Sequence, residues 1–300
     1  MDKQPDTRRI IIFLSFAFAI AWATGLIIYL TGGLTNSPQI FPGVSLALVL
    51  LATFYMWAPA LGNILTRLIT REGWKDVGLR PHFKKGWPYW LAGWFLPALM
   101  TLFGAVLFFV IFPRYFDSSL ALVHKQTAAS PALSALSPWL FVALQLVAGV
   151  LVSPIANSLA TFGEEFGWRG YLLPKLMPLG GRKAMLLIGI IWGVWHWPVI
   201  LMGYEYGFKY PGYPWIGPLL FIWITFCFAV FLGWLTVRSK SIWPAVIGHA
   251  AINGIAGAAV LATTGQPNTL LGPLPVGIIG SVGFALVAIA IFISPKGLAE

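Results

Sequence analysis

Of the chain's 300 residues, 58% are hydrophobic and only 9% are charged, against about 25% charged in an ordinary soluble domain. That excludes a water-soluble fold and predicts an all-α fold, a polytopic bundle of membrane helices. The net charge of +10 would suit nucleic acid, but membrane proteins gather basic residues on their cytoplasmic side, and the placement of these residues favours the bilayer as partner and no nucleic acid. The single cysteine, Cys227, leaves no intrachain disulfide to form.

Apolar runs occupy roughly 10–30, 41–66, 88–112, 138–162, 184–203, 216–237, 242–263 and 274–294, each near the ~20 residues a helix needs to cross the hydrocarbon core. The first follows Lys3, Arg8 and Arg9, contains Trp22 and Tyr29, and is too long for the apolar part of a signal peptide, so it reads as a retained span. Eight spans put both termini on one side of the membrane. Sixteen of the nineteen Lys and Arg residues fall on that side and only Arg114, Lys125 and Lys209 fall opposite, which predicts cytoplasmic termini. The longer connections, about 67–87 inside and 113–137 outside, are too short for a soluble domain, so residues 1–300 read as one transmembrane domain with its polar motifs in about 138–263. The outer connection, rich in Ser, Ala and Pro, reads equally as irregular chain or as a short amphipathic surface helix. There is no internal repeat and no nucleotide-binding glycine loop.

Against this apolar background the stretch Thr161 to Gly170 carries Glu164, Glu165 and Arg169. On a helix, Glu165 and Arg169 are four apart with the acid N-terminal, the favourable order for an ion pair. Glu164 lies about 100° around the helix, free for chemistry. The plainer alternative is an interfacial salt bridge closing the helix, although ionisable residues near membrane depth are functional candidates by default. In the fifth span His196 follows Trp192-Gly193-Val194-Trp195 near mid-membrane; in the seventh, His249 and Asn253 share a face at i, i+4. A packed histidine and interhelical polar contacts are the corresponding plainer readings. Gly163 and Gly167, Gly189 and Gly193, and Ala250 and Gly254 form small-residue pairs beside these groups, which predicts close approach of the three helices to one another. All three sites are expected to be reached from the cytoplasmic side, where their convergence makes a hydrolytic centre.

The ordered set Glu164-Glu165-x-x-x-Arg169, Trp192-x-x-x-His196 and His249-x-x-x-Asn253, one motif on each of three spans, resembles the CPBP family of CaaX-processing endopeptidases and Abi-type bacteriocin-immunity proteins. The similarity covers roughly Gly163 to Gly257, and Trp192 departs mildly from the Phe common at that place. The resemblance implies a helical intramembrane endopeptidase in a bacterial or archaeal cell membrane, with its site open to the cytosol and a peptide substrate, prenylated CaaX-type or not, near the cytoplasmic face.

Amide hydrolysis needs a base for water and donors for the oxyanion. Glu164 fits the base, His196 a group that orients the same water, His249 and Asn253 the oxyanion donors, and Arg169 the partner of Glu165. No cofactor is expected. A zinc-dependent version stays open, with Glu164, His196 and His249 as ligand types, although the helical His-Glu-x-x-His pairing of familiar zinc proteases is absent. The rival from another class is a transporter subunit or non-enzymatic immunity scaffold, with Pro154, Pro198 and Pro244 as candidate helix breaks around a midplane site.

Overall fold

The computed structural model describes residues 5–299; Lys3, one of the basic residues flanking the first span, lies outside them. The chain is a polytopic helical membrane bundle. Its principal helices are α1 Thr7–Leu30, α2 Leu46–Thr70, α3 Phe83–Ile111, α4 Pro138–Leu151, α5 Ser158–Gly167, α6 Gly181–Trp195, α7 Ile216–Ser239, α8 Trp243–Ile255 and α9 Val282–Ile293. A two-stranded ribbon, Gln39–Phe41 with Val44–Ser45, precedes α2. The connection after α3 folds into two short helices, Ala121–Thr127 and Pro131–Ser134.

Every one of the eight apolar stretches contains helix. Five helices, α1, α2, α3, α7 and α8 with its 3-10 tail to Ala262, are each long and apolar enough to cross a membrane. The other three stretches are not continuous spans, for identifiable reasons. Pro154 has no N–H to donate, and the fourth stretch breaks between α4 and α5. Pro198 does the same to the fifth, which stops at Trp195 and resumes as the short helix Trp197–Leu201. In the eighth, Gly272, Pro273, Pro275, Gly277 and Gly280 delay the helix until Val282. Pro244, by contrast, breaks nothing: it stands in the first turn of α8, where a missing N–H costs no hydrogen bond.

The centre of the bundle is α7, in which Cys227 through Gly233 are buried on every side. It packs against α3, α6, α8 and α9. A helix that is apolar all round has no polar face to give to water, so it takes the interior. The rim carries the complementary pattern: Leu91, Phe95, Leu99, Phe103, Val106 and Val110 form an exposed apolar stripe along α3, as a lipid-facing surface requires.

The small-residue pairs do mediate close approach, but mostly to helices other than those expected. A methyl group at Gly163 would meet the Met56 carbonyl oxygen at 2.7 Å, and one at Gly167 would collide with Pro59, so this pair seats α5 on α2. Gly189 and Gly193 seat α6 on α7, against Phe226 and Ile222. Only Gly254 faces the fourth stretch, against Ser153. Spacing announces a close contact without naming the partner.

Candidate active site

The end of α5 passes into a single π-helical turn, Trp168–Leu172, a widened turn of the kind that inserts one residue into a helix and re-aims its side chains. Across that junction Arg169 Nη1 donates to Glu165 Oε1 at 2.9 Å, and His249 Nδ1 lies 2.9 Å from the same oxygen. Glu165 is 0% exposed, Arg169 2% and His249 5%. A carboxylate so far from water persists only because two partners share it, since removing one partner of a buried pair leaves an uncompensated charge. The guanidinium also stacks over the Trp192 ring, 4.7 Å from its centroid.

Glu164, expected to be uncommitted, is held as well. Its Oε2 accepts a hydrogen bond from Trp192 Nε1 at 2.6 Å, joining α5 to α6. Trp192 is thus a site residue that sequence reasoning took only for the aromatic opening of a motif. The available signal was its position one turn before His196, combined with the indole N–H, a donor that phenylalanine lacks. Oε1 of Glu164 makes no protein hydrogen bond among the described residues, and Glu164 lines the central cavity.

His196 occupies the helix break itself. With Pro198 interrupting the ladder, its backbone N–H turns to Gly193 at 3.1 Å, and its ring Nδ1 takes up the Trp192 carbonyl at 2.8 Å. A carbonyl only accepts, so Nδ1 carries the hydrogen and the neutral ring presents the Nε2 lone pair. The Trp195 carbonyl next to it is tied down by the Tyr55 hydroxyl at 2.7 Å and by Trp22 Nε1 at 3.2 Å. His249 is held in the same sense: with Nδ1–H facing the Glu165 carboxylate, Nε2 donates only from the imidazolium form. The Thr161 hydroxyl donates to the Val246 carbonyl at 3.0 Å and Asn157 Nδ2 to that of Ala250 at 3.4 Å, fixing α8 beside α5 one turn before His249 and at the residue after it.

Glu164, His196, His249 and Asn253 line one cavity of about 120 Å³, walled by Tyr55, Trp192, Phe221 and Phe228. Glu165 and Arg169 are not in its wall; they stand behind His249 and Trp192. Tyr204, Glu205, Pro275 and Val276 also line it, and these belong to the connections after α6 and α8, at the end of the bundle remote from Lys175, Arg182 and Lys240. The Glu165–Arg169 pair lies outside its wall, and Arg169 lines a separate recess with Asp76, Leu173 and Lys240. Glu205 also escaped sequence reading, because a single acid in a polar connection carries no periodic signal.

Among the described residues no group of three His, Cys, Asp or Glu side chains is gathered as a metal cluster. Nδ1 of each histidine and Oε2 of Glu164 are engaged, so a zinc ion would have Nε2 of His196, Nε2 of His249 and Oε1 of Glu164 as its donors.

Fold and site together define a class: a helical membrane protein with a carboxylate, two imidazoles and a carboxamide around a mid-bundle cavity. Residues 137–255, which contain all seven motif residues, match the family described as Type II CAAX prenyl endopeptidase Rce1-like. A CAAX prenyl protease 2 of Methanococcus maripaludis is 36% identical over 97 residues, which cover 31% of this chain and 35% of that protein. The match thus spans about a third of the relative's length. The motif-bearing segment is thus similar to the CaaX prenyl endopeptidases over residues 137–255.

Proposed function

We propose that the chain is an intramembrane endopeptidase that hydrolyses a peptide bond with a water molecule activated by Glu164, without a metal ion. The observation that carries this reading is the division of labour between the two adjacent glutamates: Glu165 is neutralised by Arg169 and His249, while Glu164 keeps one oxygen for the cavity. Glu164 Oε1 takes a proton from water, and the Nε2 lone pair of His196 accepts the second hydrogen of the same water and aims it. The oxygen attacks the amide carbon. Nε2–H of the His249 imidazolium and the Asn253 carboxamide donate to the oxyanion, a contribution of roughly 3 kcal/mol per donor. Glu164 then delivers its proton to the departing amine, so protons balance and the side chain is restored. Glu165 and Arg169 act at one remove: the Glu165 carboxylate, tied to Arg169, orients the His249 ring through Nδ1.

Similarity to a protein named CAAX prenyl protease 2 makes a prenylated CaaX-type peptide the first substrate to try. The breaks at Pro154 and Pro198 favour a second reading, a transporter or binding scaffold built on discontinuous helices. The two differ in turnover. Purified protein is expected to cleave a peptide library in the presence of chelator and to carry no stoichiometric metal. One tightly bound zinc per active chain, lost together with activity in His196→Ala or His249→Ala, would overturn the metal-free mechanism.

A further inference from the structure

Two of the chain's nine acidic residues, Glu164 and Glu205, line the central cavity, and among the described residues no Lys or Arg does. Chance would favour the reverse in a chain of net charge +10. Glu165 lies just behind the wall but is neutralised there. Glu205 is not: among the described residues no basic group stands within ion-pair distance of it. Its neighbour on the cavity side is the Tyr204 hydroxyl. Tyr55, Trp192, Trp195, Phe221 and Phe228 add aromatic faces to the same wall, among aliphatic residues such as Leu51, Val199 and Ile252. A carboxylate without a counter-ion, set among aromatic faces, is the environment that recognises an organic cation, through a charge-assisted hydrogen bond and cation–π attraction together.

The backbone adds an independent indication. Glu205 has φ 63°, in the left-handed region that favours glycine. A glutamate held there forgoes an easier conformation, and retained strain of this kind points to function. The turn is held from outside: the Glu205 flanks are tied to the segment before α9 by the Tyr206 hydroxyl donating to the Val276 carbonyl at 2.8 Å and by the Thr269 hydroxyl donating to the Tyr206 carbonyl at 2.9 Å.

We infer that Glu205 is a specificity-determining residue, which selects a substrate peptide carrying a cationic side chain, lysine or arginine, on the part that occupies the Tyr204–Glu205 end of the cavity. The inference rests on the endopeptidase reading for the word substrate, but the recognition it describes is a binding event and is measurable without turnover. Glu205 is a positioning residue here and touches no reacting atom.

The test is a set of fluorescent peptides with one lysine moved through each position, each paired with its norleucine analogue. Binding to detergent-solubilised full-length protein and cleavage are both measured at pH 8, where the partly buried Glu205 carboxyl, pushed up to about 7 by burial against the opposing hydrogen bond of Tyr204, is ionised. For at least one position the parent is expected to bind the lysine peptide about tenfold more tightly than its norleucine partner, about 1.4 kcal/mol. Glu205→Gln should bring that ratio close to one by weakening binding of the lysine peptide, and Glu205→Asp should restore part of the preference. A parent ratio near one at every position overturns the inference, as does a Glu205→Gln variant that keeps the lysine preference. If lysine selectivity appears in binding and disappears in Glu205→Gln while no peptide is cleaved, recognition stands and the endopeptidase reading falls.

Discussion

Arg169→Ala is the substitution whose cost follows most directly from the geometry. It removes the guanidinium 2.9 Å from Glu165 Oε1 and leaves a carboxylate of 0% exposure with the His249 ring as its remaining partner among the described residues. Breaking a buried pair from one side costs about 3–5 kcal/mol, because the abandoned charge stays desolvated. The stacking of the guanidinium on Trp192 at 4.7 Å adds up to about 2 kcal/mol in a site closed to water. Against a net stability of about 5–15 kcal/mol for folded proteins, the variant is expected to lose a large share of its folded yield and to unfold well below the parent in a thermal-shift assay in detergent. The reasoning also fixes the rescue. Glu165→Gln alone removes the charge that needs Arg169, so the double variant Glu165→Gln with Arg169→Ala should recover much of the loss, a coupling of at least about 2 kcal/mol in a double-mutant cycle. Activity should not return, since His249 would have lost its anionic partner. An Arg169→Ala protein as stable as the parent, or strictly additive losses in the double variant, would refute the structural pair.

Two further predictions concern the basic end. Glu72, in the connection between α2 and α3, accepts from Lys175 Nζ at 2.7 Å and from the Tyr171 hydroxyl, with Arg9 3.7 Å away; burial pushes its carboxyl up, but these partners outweigh it and hold the group below the usual value of 4.5. A pKa depressed on folding contributes stability that is full above the unfolded value and is lost as pH falls through the folded one, so the thermal transition of the parent should drop on acidification below about 4.5 and that of Glu72→Gln should drop less; equal drops would remove Glu72 from the account. Reporter fusions after Lys125 and after Arg182 should report opposite faces, with Arg182 cytoplasmic by the charge asymmetry. That result puts the Tyr204–Glu205 end of the cavity away from the cytosol, whereas a cytoplasmic Lys125 would overturn the charge reading and turn the cavity to the cytosol, and the same face for both would overturn the topology.

The features legible in the sequence are those that a single element decides. Hydropathy finds the eight helical stretches, and the i, i+4 interval brings Glu165 to Arg169 without help from any other helix. Contacts between helices are a different matter. The Trp192 indole reaches Glu164 across 28 positions, and no periodicity predicts that the N–H rather than the ring face is used. Gly189 and Gly193 announce a close helix crossing, yet whether α7 or α5 fills it depends on the packing of the whole bundle. Pro154, Pro198 and Pro244 look alike in the chain; two break helices and one begins a helix, according to whether a carbonyl was waiting for the missing N–H. Glu205 lies beyond sequence reasoning for the same cause: its importance comes from the absence of a cation around it, which is a property of the folded cavity.

The central claim is that Glu164 acts as the base for a water that becomes part of the product. Hydrolysis of a prenylated CaaX-type peptide in 18O-enriched water, read by mass spectrometry for the parent and for Glu164→Gln, tests it most directly. Glutamine keeps the shape and the hydrogen bond to Trp192 but accepts no proton, so the parent should yield one cleavage with a single 18O in the new carboxyl group, while Glu164→Gln should bind the peptide and leave it intact. Cleavage by Glu164→Gln at a rate near that of the parent, or a parent that binds peptide and never incorporates 18O, would contradict the account.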